Sequence, residues 1–154
     1  MRRTIASLVV ILFAFELAAS GVGSKKAKYV GGTVATIKEG VEGKVSVADE
    51  KVFIFEYKKE RFTIPYDRVN SLEYGQKAGR RLGLAIAVTP LALFSKKRKH
   101  FMTINYVDEN EKQQAVVFEL GKDITRVTLA SMEARTGRQI EYQDDSARKS
   151  SKGN

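Results

Sequence analysis

The sequence predicts a mainly β protein of the α+β class, with about seven antiparallel strands in a bent sheet or partial barrel and one C-terminal helix capping it. Three observations predict it. Apolar residues alternate with a period of two along short segments between residues 29 and 120. Turn-forming residues punctuate those segments at the spacing of an antiparallel sheet, roughly every eight to twelve positions. The period turns helical once, after Asp123. Strands first and a helix last favour an antiparallel sheet covered by that helix.

Taken in order, residues 1–20 read as a secretory signal. Arg2 and Arg3 lead an apolar stretch, and Ala18 and Ser20 are the small residues a signal peptidase requires. Residues 21–28 read as a Gly/Ser/Lys linker, and the domain is expected over 29–142. Its first strand is expected at 31–37, where Thr33, Ala35 and Ile37 alternate with Val34 and Thr36. Strands follow at 44–48 (Val45, Val47), 51–57 (Phe53, Phe55, Tyr57), 60–65 (Phe62, Ile64, ended by Pro65) and 69–74 (Leu72, Tyr74). Two more form a hairpin: 99–106 with Met102, Ile104 and Tyr106, and 113–120 with Val116, Phe118 and Leu120. The helix spans 124–135, with Ile124, Val127, Ala130 and Ala134 on one side, Asp123 as cap and Gly137 just past the end. Leu129 and Met132 fall off that stripe. Residues 139–142 add a short extension, and 143–154 read as a disordered tail of Asp, Ser, Arg, Lys and Gly.

This order of elements resembles the pleckstrin-homology-like superfold, including its bacterial PH/GRAM-like members. The run from Phe62 through Ile64, Pro65 and Tyr66 to Tyr74 is similar to a strand–Ile-Pro-Tyr–strand junction common in bacterial domains of that type. The resemblance covers residues 29 to about 137 and implies a seven-stranded bent sheet plugged by its C-terminal helix. The whole chain also resembles small exported proteins of environmental bacteria, a likeness that implies export and carries no activity.

One segment departs from the β pattern. Residues 82–94 are almost wholly apolar, lie between the fifth and sixth strands, and are flanked by bases on both sides. No acid occurs between Glu73 and Asp108, and the net charge of +9 is concentrated around this run. The expected contact surface is Lys77, Arg80, Arg81, Leu84, Ile86, Val88, Leu91, Leu93, Phe94, Lys96, Lys97, Arg98 and Lys99. As a helix the run reaches about 20 Å, short of the roughly 30 Å hydrocarbon core, so it is not a span. A hairpin broken at Thr89–Pro90 keeps every base on one side, at the headgroups of an anionic membrane. Two other readings stay open: an envelope scaffold that buries the run against a partner or in a homodimer, and a run buried in the domain's own core.

The expectation is therefore an exported, periplasmic or extracellular, membrane-associated binding module and not an enzyme. Its partner is an anionic membrane surface or an envelope protein. Nucleic acid is not an expected partner, because no aromatics interleave with the bases. No cofactor or metal is expected: the chain has no cysteine and a single histidine, His100. The four bases preceding His100 disfavour its protonation. No serine sits in a nucleophile elbow, and the glycines match neither a phosphate loop nor a dinucleotide fingerprint. Asp108, Glu109, Asn110 and Glu111 read as a solvated turn and lack the spacing of a calcium loop.

Overall fold

A computed structural model describes residues 25–76 and 99–152. The strands are β1 (Lys25–Gly32), β2 (Glu42–Ser46), β3 (Val52–Tyr57), β4 (Glu60–Pro65), β5 (Val69–Gly75), β6 (His100–Val107), β7 (Gln113–Leu120) and β8 (Ile140–Tyr142). A 3₁₀ turn, Tyr66–Arg68, joins β4 to β5. Helix α1 is Lys122–Thr136 and α2 is Asp145–Lys152. All eight strands join one open sheet in the order β4-β3-β2-β1-β7-β6-β5-β8. Every pairing is antiparallel except β5 with β8.

The fold is mainly β, as the alternation predicts, with several local differences. Among the described residues eight strands form instead of about seven, one pairing is parallel, and two helices form instead of one. The chain enters β1 at Lys25, inside the expected linker, because Ala27 and Tyr29 alternate with Lys26 and Lys28 and bury themselves. The strand expected at 31–37 is mostly loop: β1 ends at Gly32, and Ile37 is buried from the turn that follows. Within the expected tail, Asp145–Lys152 is helical. Asp144 Oδ1 accepts the Ala147 N–H at 2.7 Å, which caps α2 and sets Ala147 fully inside the core.

Period-two alternation divides each strand between two faces. On the inner face Tyr29, Val45, Phe53, Phe55, Ile64, Leu72, Met102, Ile104 and Phe118 form one core. Phe118 is its hub, with ring centroids 4.9 Å from Phe55, 5.4 Å from Phe53 and 5.9 Å from Tyr29. Helix α1 lays Ile124, Leu129 and Met132 onto this core, while Val127 is exposed. The expected stripe was therefore rotated: Leu129 and Met132 are the packing residues. Gly121, not Asp123, is the N-cap residue, and Asp123 lies within the first turn. Gly137 ends the helix as expected, in the left-handed region at φ 68°, with its N–H donated to Glu133 O at 2.9 Å.

The turns explain themselves through their acids. Asp49 Oδ1 accepts the N–H groups of Lys51 and Val52. Asp108 Oδ1 accepts those of Asn110 and Lys112, and its Oδ2 accepts Gln114 Nε2. These bonds hold both carboxyls below their ordinary pKa.

Candidate functional site

Strand register builds the second face of the sheet. Lys26, Lys44 and Glu56 stand side by side across β1, β2 and β3. One row along, Glu42, Lys28, Glu119, Phe101 and Gly75 face one another across β2, β1, β7, β6 and β5. None of these belongs to the inner core. Over β1, β2 and β3 the outer face is hollowed into an open groove of about 840 Å³. Lys26, Lys28, Lys44, Lys58 and Lys99 line it, with Glu42, Glu56 and Glu119.

The charges in the groove do not cancel. Lys99 Nζ is 2.9 Å from Glu119 Oε2, and Glu56 lies 4.0 Å from Arg61, outside the lining. Among the described residues, no carboxylate reaches ion-pair distance of Lys26, Lys28, Lys44 or Lys58. The groove is therefore a cationic trough with its glutamates partly occupied. Gly43 also lines it, and its lack of a side chain serves the inner core: an added Cβ there would stand 2.3 Å from the Glu56 carbonyl and 2.7 Å from the buried Phe55 ring. Lys58 adds a second indication. It opens the two-residue turn between β3 and β4 with φ 51°, a place where glycine is the usual occupant. A lysine is held there despite the left-handed strain, and its side chain lines the groove.

Of the contact residues expected from sequence, Lys99 is the one the described structure places. It enters β6 beside the groove, tied to Glu119. Lys77, Arg80, Arg81, Leu84, Ile86, Val88, Leu91, Leu93, Phe94, Lys96, Lys97 and Arg98 lie outside the described residues, as do the expected signal at 1–20 and the apolar insertion at 82–94. Sequence reasoning missed Lys26, Lys28, Lys44 and Lys58. They are scattered over 33 positions, and only strand pairing gathers them. The alternation of Lys26 and Lys28 with Ala27 and Tyr29 was the signal that could have found the first two.

His100 opens β6, as expected. Its Nδ1 bonds Tyr74 Oη, and Tyr74 Oη is 3.1 Å from Ser150 Oγ on α2. The rings of Tyr74 and His100 stack at 6.1 Å, and Tyr142 meets Tyr74 edge-on. Burial first, and then the Lys122 cation, push the His100 pKa down. The direction matches the sequence reading, but the cation identified is Lys122, from α1. The ring is thus neutral near pH 7, with one nitrogen occupied, and it ties β5 and β6 to the C-terminal helix. Among the described residues no carboxylate hydrogen-bonds it as an orienting partner. The phenols of Tyr29, Tyr66 and Tyr106 are each pushed up to about 12, chiefly by burial, so they hold their protons at neutral pH.

Among the described residues no three His, Cys, Asp or Glu side chains cluster to hold a metal ion. No helix there is long and apolar enough to cross a membrane. No family model and no curated protein matches the chain.

Proposed function

We propose that the protein is an exported, non-catalytic binding module of the pleckstrin-homology-like kind that docks on an anionic membrane surface. The observation that carries the reading is the cationic groove, with four lysines unpaired within the described structure and Lys99 at its end. Lys99 is the last of four consecutive bases. The basic flank of the apolar run and the groove on the sheet therefore meet at one residue. The strand order β4-β3-β2-β1-β7-β6-β5, followed directly by α1 on the inner core, supports the fold part of the proposal. The secretory pattern of residues 1–20 supports export.

Attraction to an anionic surface is worth about 1 kcal/mol per lysine near the headgroups, which is roughly fivefold in affinity for each. The full chain is expected to co-sediment with vesicles containing acidic phospholipid at low salt and to be released as salt rises. Changing Lys96, Lys97, Arg98 and Lys99 together to Ser should abolish most of that binding. Changing Lys26, Lys44 and Lys58 together to Ser should weaken it about a hundredfold. A chain that stays in the supernatant at low salt, or that binds neutral vesicles equally well, removes the proposal.

A further inference from the structure

The groove holds acids as well as bases, and register places the acids as regularly as the lysines. Lys28 on β1 is paired directly with Glu42 on one side and with Glu119 on the other. In the next row Lys26 faces Lys44, and Lys44 faces Glu56. Opposite side chains on one face of an antiparallel pair stand about 5 Å apart at Cβ, so each acid offsets a neighbouring lysine. Glu119 is engaged with Lys99 at 2.9 Å. Glu42 and Glu56 are exposed, as are Lys26, Lys44 and Lys58. Five lysines against three glutamates leave the lining at a net +2, in a chain that carries +9 overall.

The bases are also of one kind. Among the described residues every base lining the groove is a lysine, and Arg61, beside Glu56, lies outside it. Arginine grips a phosphate or carboxylate through two parallel N–H bonds, whereas a lysine ammonium is a hydrated point charge on a flexible stem. A lining of exposed lysines therefore senses a field of charge and builds no fork for one headgroup. The attraction per charge rises with the surface potential, and a glutamate subtracts what a lysine adds. A lining of small net charge responds where that potential is high.

We infer that Glu42 and Glu56 set how acidic a surface must be before the groove docks on it, and that the groove reads charge density rather than headgroup identity. This rests on the membrane reading and adds its selectivity. With both acids in place, the lining holds densely anionic lipid and lets sparsely anionic lipid go. Without their charges the lining rises to +4, and weakly acidic surfaces suffice. The occupant is a lipid surface rather than a single soluble anion. The ammoniums are spread over β1, β2, the β3–β4 turn and the start of β6, so one phosphate group meets a fraction of them.

The full chain and vesicles of phosphatidylglycerol in phosphatidylcholine, at stepped acidic fractions, test this. Glu42→Gln with Glu56→Gln should raise affinity about twentyfold, since each charge is worth roughly fivefold, and should shift half-maximal binding to a lower acidic fraction. Each single change should give about fivefold, so loss of folding in one leaves the other to decide. Glu109→Gln with Glu111→Gln makes the same change in net charge on the turn at the far end of β7 from Glu119. It should move binding by less than about twofold, because that turn is more than a screening length away. Cardiolipin vesicles matched in zeta potential should bind the wild type within about twofold of phosphatidylglycerol, and glycerol phosphate should not compete. Equal gains from the two Gln pairs overturn the inference, since they assign the effect to the charge of the whole chain. No gain from Glu42→Gln with Glu56→Gln overturns it too, while wild-type binding to acidic vesicles leaves the membrane reading standing. Preference for phosphatidic acid at matched potential, or competition by glycerol phosphate, overturns it in favour of a phosphate pocket. Tighter binding to a polyglutamate peptide than to vesicles makes the partner a protein and overturns it as well. A wild-type chain that ignores acidic vesicles removes both the inference and the reading beneath it.

Discussion

The inner face of the sheet holds Phe53, Phe55, Tyr29 and Phe118 in ring contact, while the outer face of the same strands holds Lys26, Lys28, Lys44 and Glu56 in cross-strand rows. The two faces share a backbone and a register and differ only in which parity of residue they receive. Inner residues give up water for close packing, so each contributes to stability in proportion to what it buries. Outer lysines over β1 and β2 keep their water and contribute little to stability, so their concentration in one groove needs another explanation. The difference separates what folds this chain from what it offers to a partner.

Three substitutions test that separation. Phe118→Ala removes the hub of the inner core and should cost about 3–5 kcal/mol in urea unfolding, enough to unfold much of the population. A loss under about 1 kcal/mol would mean the core repacks freely and the faces are less distinct than drawn. Next in size is the His100 tether. The folded state favours the neutral ring, because burial and Lys122 push its pKa below the ordinary 6.5. As pH falls, the unfolded chain takes the proton first. The stability linked to this group is complete above about 6.5 and drains away as pH drops from there toward the folded pKa. His100 is the only histidine, so His100→Gln should flatten the pH dependence of the melting temperature between about pH 5 and 7. A slope that survives the change assigns it to other groups. Smallest in stability is Lys44→Ser, expected to move unfolding by no more than about 0.5 kcal/mol. That variant should still bind acidic vesicles roughly fivefold less well. A large loss of stability there would make the lysine row structural.

Much of the sheet was legible because its strands alternate cleanly and its turns carry capping acids. Residues 60–65 and 113–120 match β4 and β7 to the residue. The misreadings have physical causes. Residues 31–37 alternate like a strand, but Gly32 ends β1, and Ile37 reaches the core from a loop. The helix stripe was misplaced because α1 buries Thr125 and Thr128 beside Leu129 and Met132, and threonines carry no apolar signal. Helix α2 was hidden by its composition. It buries one alanine, Ala147, and owes its order to the Asp144 cap and to the Tyr74–Ser150 contact. The basic flank was visible as a run, whereas the groove was not, because its lysines become neighbours only through pairing partners distant in sequence.

The first strand in the sheet order, β4, has a consequence for how copies of this chain meet. Among the described residues it is the free end of the sheet opposite β8. An unpaired edge invites another strand, and through it aggregation. This one carries exposed Glu60 and Arg61 next to Lys58 and Lys59, and it finishes on Pro65, which has no N–H to offer. Pairing two such edges would have to desolvate these charges and would leave the ladder short of a donor. The sheet is therefore guarded against growing by strand addition at β4, and copies of the chain can meet at that edge without it becoming adhesive.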